Sequence, residues 1–311
     1  MSLLAFRPLR ASDVAACVAL LRAEGARGAL LDATLLVRLL AERRLVARVF
    51  EETGAAAGGT VRGCGLSALI PPAAAARAAD PDAGDFVDRL LNSCRGPAPD
   101  LLDRAQVAVL NRRGALHMVV LDFVVDERDG DQVAALTALA HSAFIAAHSG
   151  YALNSLIGVL RPWERKAAGY RASLVAMGCR EAPASRVDGS QVFALDAAQI
   201  AAHPYHVLQG LFLRRAPRLA LTAAQQDLLE LALHNFDDAA IAAELGVTLH
   251  TVHKRWRAIY ERVGDALPGL LAEAAAPVTR SGRGLEKRKR IVEYARHHPE
   301  ELRPWSAAGP R

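Results

Sequence analysis

Apolar residues along the first two thirds of the chain fall into short alternating runs, separated by stretches with helical spacing. Residues 3–8, LLAFRP, read as a strand. Ser12 opens an amphipathic helix through Val14, Cys17, Val18, Leu20 and Leu21, and Asp32 opens a second through Leu36, Leu39 and Leu40. Two extended runs follow, Leu45–Glu52 and Thr60–Ile70, across a Gly/Ala-rich turn. From Pro71 to Pro97 prolines, glycines and a poly-alanine run enclose one clear helix, Asp85–Cys94, and the region reads as an insertion, either a surface excursion or a cover over a pocket. Order returns with the strand-like run Leu116–Val125, a helix from about Asp131 to His148, a strand Leu153–Leu160, a helix from Pro162 to Met177 and a last strand Gln191–Leu195. This order predicts an α/β (α+β) domain over 1–196, a mixed sheet flanked by helices. A helical linker is predicted over 197–218, with Arg214–Arg218 around Pro217 as a hinge.

The last third is patterned differently, with helical spacing only. Each of three short helices begins at a side chain able to satisfy the free N–H groups of a first turn. Thr222 with Gln225 makes a capping box, Asp237 caps the second helix and Thr248 the third. Leu245-Gly246-Val247 separates the second helix from the third, and Gly246 can take the positive φ that ends a helix. On the third helix Leu249, Val252, Trp256, Ile259 and Val263 share one face and are expected to pack inward. His250, His253, Lys254, Arg257 and Glu261 share another, a donor-rich face of the kind that enters a major groove.

Charge agrees with this division. The formal net charge is +5, yet from Thr248 onward there are 13 Lys and Arg against 7 Asp and Glu, leaving 25 against 26 in residues 1–247. A polyanionic partner is therefore expected at the C-terminal part. Cys17, Cys64, Cys94 and Cys179 show no Cys-x-x-Cys spacing, which argues against a zinc site or a disulfide scaffold. Arg7 and Arg10 interrupt any early apolar run and no stretch is apolar enough to span a bilayer, so the expectation is a cytoplasmic protein without a membrane partner.

Leu221–Gly264 resembles the LuxR-type helix-turn-helix. The resemblance rests on Leu221-Thr222, Ile241-Ala242, the recognition-helix entry Val247-Thr248-Leu249-His250-Thr251-Val252, and Ile259-Tyr260-Glu261-Arg262-Val263-Gly264. Gln225, Leu249, Arg255 and Trp256 depart from that family's usual residues, and region four of bacterial sigma factors shares the pattern. The resemblance implies an all-α DNA-binding domain over 219–275 that reads double-stranded DNA, commonly as a homodimer. Thr248, His250, Thr251, His253, Lys254 and Arg257 are the candidate contacts. A tail helix over 276–311 adds Lys287, Arg288, Lys289 and Arg290, as further phosphate contacts or as a solvated face, and the final residues are expected to be loose.

The element order of residues 1–196, with an opening FRPL strand, a helix beginning Ala-Ser-Asp, and Met177-Gly178-Cys179, resembles the GNAT acyltransferase fold. PAS-like, GAF-like and autoinducer-binding domains are the alternatives. In the GNAT family a glycine-rich loop after the central strand holds the pyrophosphate of acyl-CoA. Here the equivalent stretch, Asp126 to Gln132, has one glycine and four carboxylates, which suit a helix N-terminus instead. The family's proton-donating tyrosine corresponds to Leu174; Tyr170 lies one turn earlier, and Asn154 reads as structural. His141 and His148 lack a third metal ligand, and no Gly-x-Ser-x-Gly signature occurs.

The sequence reading is thus a transcriptional regulator, not an enzyme, with no catalytic, metal or cofactor site assigned. Its N-terminal domain senses an unknown small-molecule or protein effector. The alternatives are an N-acyltransferase or acyl-CoA sensor joined to a helix-turn-helix, or a regulator that works through protein docking.

Overall fold

The six predicted strands and a seventh, two-residue one join a single sheet in the order β1-β2-β3-β4-β5-β7-β6. They are β1 (Leu3–Pro8), β2 (Leu45–Thr53), β3 (Thr60–Ile70), β4 (Leu116–Val125), β5 (Leu153–Leu160), β6 (Arg180–Glu181) and β7 (Gln191–Asp196). Every neighbouring pair is antiparallel except β4 and β5. This computed structural model describes residues 3–23, 31–53, 59–128, 130–162, 167–203, 205–272 and 280–306. It divides into two units, Met1–Leu213 and Arg214–Arg311.

Alternation along the strands sends side chains to two cores. Ala47, Val49, Cys64, Leu66 and Ala68 meet α1 (Val14–Ala23) and α2 (Ala33–Ala41) in one of them. Asp32 caps α2 by accepting from the Leu35 N–H at 2.8 Å. Between β3 and β4 come α3 (Pro72–Ala76), α4 (Phe86–Ser93) and α5 (Arg104–Arg113). The expected surface excursion is here a built part of the unit. Phe86, Val87, Leu90 and Leu91 of α4 enter the same core, and the buried guanidinium of Arg161 donates to the buried Asp85 at 2.8 Å and also pairs with Asp88. α5 is not among the helices predicted above; Asp103 and Gln106 start it with a capping box and Gly114 ends it at φ 65°.

The other face of the sheet carries α6 (Gly130–His148), whose Leu136, Ala140 and Ala143 pack on Phe50 and Val125. After β5 comes α7 (Ala167–Ala176); the first residues of its predicted span, 163–166, lie outside the described residues. α8 (Ala197–Ala201) and α9 (Gln209–Phe212) occupy the predicted linker, but Ile200, Leu208 and Leu211 are buried with Leu116, Met118 and Leu195 of the sheet. Apolar burial thus holds this segment to the first unit.

The second unit is all helical: α10 (Ala223–Leu233), α11 (Asp238–Glu244), α12 (Leu249–Ala266), α13 (Pro268–Ala272) and α14 (Arg280–His297). Thr222, Asp237 and Thr248 cap α10, α11 and α12, and Gly246 has φ 61°. Val252, Trp256, Ile259 and Val263 are buried as their spacing requires, whereas Leu249, in the first turn of α12, stays 46% exposed. α14 takes in the Ser281–Gly284 stretch that reads as a flexible lead and places Ile291 and Ala295 in the same core. The residues that follow it are held about Glu301; 307–311, at the end expected to be loose, lie outside the described residues. Glu301 is fully buried; its carboxylate accepts from the N–H groups of Arg218 and Leu219 and from the Tyr294 hydroxyl, and the Gln226 amide donates to the Glu301 and Arg303 carbonyls. No described helix is long and apolar enough to cross a membrane.

Candidate functional site

β4 and β5 are paired from Leu116–Leu153 only as far as Val119–Ile157. Both strands run on, β4 to Val125 and β5 to Leu160, each still tied to its outer neighbour, β3 or β7. Past Val119 they are no longer joined, and a cavity of about 430 Å³ lies there. It is lined by Val120–Val124 and Gly158–Leu160 of the separated ends, by α6 and α7, and by Phe50 and Phe193. Parallel strands that part in this way turn backbone amide groups of their inner edges toward the space between them. A register shift between β3 and β4 at the same level, where Leu66 faces Asp122 but Ser67 faces Val120, is a β-bulge at the point of divergence.

The cavity walls are mostly apolar, with a few polar groups among them, the usual make-up of a small-molecule site. The Ser67 hydroxyl lies 2.6 Å from Nε2 of His148, whose Nδ1 is 2.7 Å from the Phe144 carbonyl. Tyr170 lines the cavity edge-on to Phe123, ring centroids 6.4 Å apart, and Leu174 lines it one turn later. Cys179 also borders it, and burial pushes its thiol pKa up. Of the two histidines on α6, both touch the cavity, but His148 is buried and His141 exposed. No cluster of three metal-ligating side chains occurs among the described residues. Asn154 lies away from the cavity walls, 3.5 Å from His117, whose other ring nitrogen meets Ser155 and whose pKa burial lowers.

Of the four acids in the loop that runs from β4 into α6, Asp126 is engaged by arginines, while Asp129 and the side chain of Asp131 lie outside what is described. Arg128 grips the Asp126 carboxylate through Nε and Nη2 at 2.8 and 2.7 Å, and Arg62 approaches to 3.5 Å. The hydrogen bonds from Arg128 pull the Asp126 pKa down to about 2. The Arg128 side chain itself remains 84% exposed at the mouth of this loop.

In the second unit, His250, His253, Lys254 and Arg257 stand exposed along one face of α12, beside the exposed cap residue Thr248. Thr251 is half-buried; its N–H donates to Thr248 at 3.2 Å and the two hydroxyls are 3.0 Å apart, so this pair is partly occupied in starting the helix. His253 also comes within 3.4 Å of Asp238. The tail run divides. Arg288 pairs with Asp238 at 2.5 Å, donates to the Phe236 carbonyl and lies 4.6 Å over the Trp256 ring, and Arg290 pairs with Glu286. Arg288 thus fastens α14 to α11 and α12, while Lys289 is exposed and Lys287 half-exposed. Periodicity found the α12 face; the cavity groups on β3 and α6 had no sequence signal, because Ser67 and His148 are 81 residues apart.

No family model and no curated protein matches the chain. Among solved structures it is similar to Arabidopsis thaliana NAA60 in complex with a bisubstrate analogue, at 11% identity and a TM-score of 0.37, covering 62% of this chain and 98% of that one. It is also similar to GphF, a GNAT-like decarboxylase in complex with isobutyryl-CoA, at 18% identity and a TM-score of 0.34 with the same coverage. Likenesses at this level leave function to be argued from the geometry of the chain itself.

Proposed function

We propose that the first unit binds an acyl-CoA or a related acyl thioester between the separated ends of β4 and β5, and that the second unit reads double-stranded DNA under its control. The carrying observation is the end of the β4–β5 ladder at Val119–Ile157 over an apolar cavity. An extended chain of amides can take up the backbone groups of the parted strands while its acyl end enters the apolar space. The position of Leu174 on the wall, where the acyltransferase resemblance implies a proton donor, favours sensing over transfer to an amine. Direct transfer is the second reading, favoured by Tyr170 on the same wall. For the second unit, the support is the capped α11–turn–α12 pair and the exposed basic face of α12.

Calorimetric titration of the full chain with butyryl-CoA tests the ligand. A Cβ at Gly158 would meet no atom within 4 Å, so Gly158→Leu projects into the cleft without straining the strand. The wild type should bind saturably and Gly158→Leu at least about tenfold more weakly, the equivalent of about 1.4 kcal/mol. Equal affinities for the two proteins would place the ligand elsewhere. Release of free CoA thiol with an amine acceptor present, lost in Tyr170→Phe, would decide for transfer.

A further inference from the structure

Ser67 and His148 form a pair that neither DNA reading nor direct acyl transfer uses. Both are 3% exposed, both line the cavity, and Oγ and Nε2 are 2.6 Å apart. The Phe144 carbonyl, 2.7 Å from Nδ1, can only accept, so in the neutral ring Nδ1 carries the hydrogen and Nε2 presents its lone pair to the serine. The hydroxyl has one proton and two acceptors in reach, Nε2 at 2.6 Å and the Val46 carbonyl at 3.0 Å, and the nitrogen is the nearer. A nucleophile, a base on its proton and a third group that orients the base make an activated hydroxyl. Its place in the sheet matters equally. Ser67 faces Val120, and its neighbour Ala68 faces Val119, the last β4 residue joined to β5. The hydroxyl therefore stands beside the apex of the cleft, at the depth an acyl group would reach.

We infer that Ser67 is an acyl-accepting nucleophile with His148 as its general base, so that the first unit takes the acyl group of its ligand covalently. The inference rests on the acyl-thioester reading above. In the first step Ser67 Oγ bonds to the thioester carbonyl carbon and the C–S bond breaks. The hydroxyl proton passes to His148 Nε2 and then to the departing sulfur, which leaves as the free thiol. The protein keeps an acyl ester on Ser67. In the second step water, deprotonated by the same nitrogen, attacks that ester; the C–Oγ bond breaks, the proton returns to Ser67 and the carboxylic acid departs. No oxidant or reductant enters.

The test is intact-mass spectrometry of the full chain after mixing with butyryl-CoA, with peptide mapping of any adduct, alongside release of p-nitrophenol from p-nitrophenyl butyrate. The ester probe needs no CoA site, and calorimetry on the same samples reads CoA binding separately. We expect one butyryl group, mapped to Ser67, and none on Ser67→Ala. His148→Gln can still hydrogen-bond the serine but cannot take its proton; it should slow acylation by at least about a hundredfold while its melting temperature stays near that of the wild type. A melting temperature that falls while acylation continues at the wild-type rate would make the pair a packing contact only and overturn the inference. Binding of butyryl-CoA with Ser67 unmodified, and ester turnover unchanged in Ser67→Ala, would likewise overturn it and leave the ligand reading intact. Acylation of Ser67 by the ester without measurable CoA binding would uphold the nucleophile and remove the CoA ligand.

Discussion

The two units of this chain handle charge in opposite ways. In the first, Arg7 is matched internally to Asp13 and Glu51, Arg62 to Glu52 and Asp126, and Arg161 to Asp85 and Asp88, while the buried Arg48 lines the cavity and donates to the Ala47 carbonyl. The space this unit holds open is inside, between β4 and β5, and mostly apolar. The second unit has a core closed around Trp256 and Ile259, and keeps Lys254 and Arg257 outward on α12. Under the proposed reading, paired cations frame the enclosed apolar cavity, and the α12 face offered to DNA keeps its cations outward.

The contrast is broken most severely at Arg161. Removing it takes the buried cation from the Asp85 carboxylate, which also caps α4 through the Asp88 N–H, and Arg161→Met should cost the first unit about 3–5 kcal/mol, read as a loss in urea denaturation of the full chain. A loss below about 1 kcal/mol would mean that this frame does not depend on its internal pairs. The outward cations should behave differently. Arg257→Ala should leave folding unchanged and weaken DNA binding by about 1–3 kcal/mol with relaxed preference at one base pair, measured by titration against a fragment selected by the wild type. Replacing Lys287 and Lys289 with glutamine should reduce the salt slope of binding by about 0.9 each without altering preference. Arg288→Gln, by contrast, should loosen α14, since Arg288 is spent on Asp238 and Trp256.

Acid should act on the two units with opposite sign. Asp126, pulled down to about 2 by Arg128, favours the folded first unit above its ordinary value of 3.8, and that contribution is lost as pH falls from 3.8 toward 2. Burial raises the Glu301 pKa, so the folded second unit holds that proton more tightly than the unfolded chain. Its contribution is present below the ordinary value of 4.5 and is lost as pH rises above it. Denaturation of each unit from pH 2 to pH 7 reads both, and parallel pH curves for the two units would contradict this account of Asp126 and Glu301.

How far the sequence could be read follows the same division. Local devices were plain: Asp32, Thr222, Asp237 and Thr248 start helices as their positions foretell, and the strand limits of β3, β4 and β5 match the apolar runs. α5 carried its own capping box in Asp103 and Gln106, but it follows a run of prolines and glycines that suggested irregular chain. β6 is two residues long, too short to show a period. What stayed out of reach was made by pairing over distance. The cleft exists because β4 and β5 stop pairing at Val119–Ile157, and Ser67 meets His148 only once α6 lies on the sheet. The role of Arg288 was hidden for the same reason, since a run of four cations looks alike whether it faces solvent or Asp238.

The measurement that reaches the central claim is the affinity of the full chain for a selected DNA fragment, at fixed salt, with and without saturating butyryl-CoA. If the cleft of the first unit governs the basic face of the second, the two dissociation constants should differ by about 5-fold to 150-fold, and DNA should shift the affinity for butyryl-CoA by the same factor. Identical constants, with butyryl-CoA shown by calorimetry to be bound, would contradict control of DNA reading by the ligand.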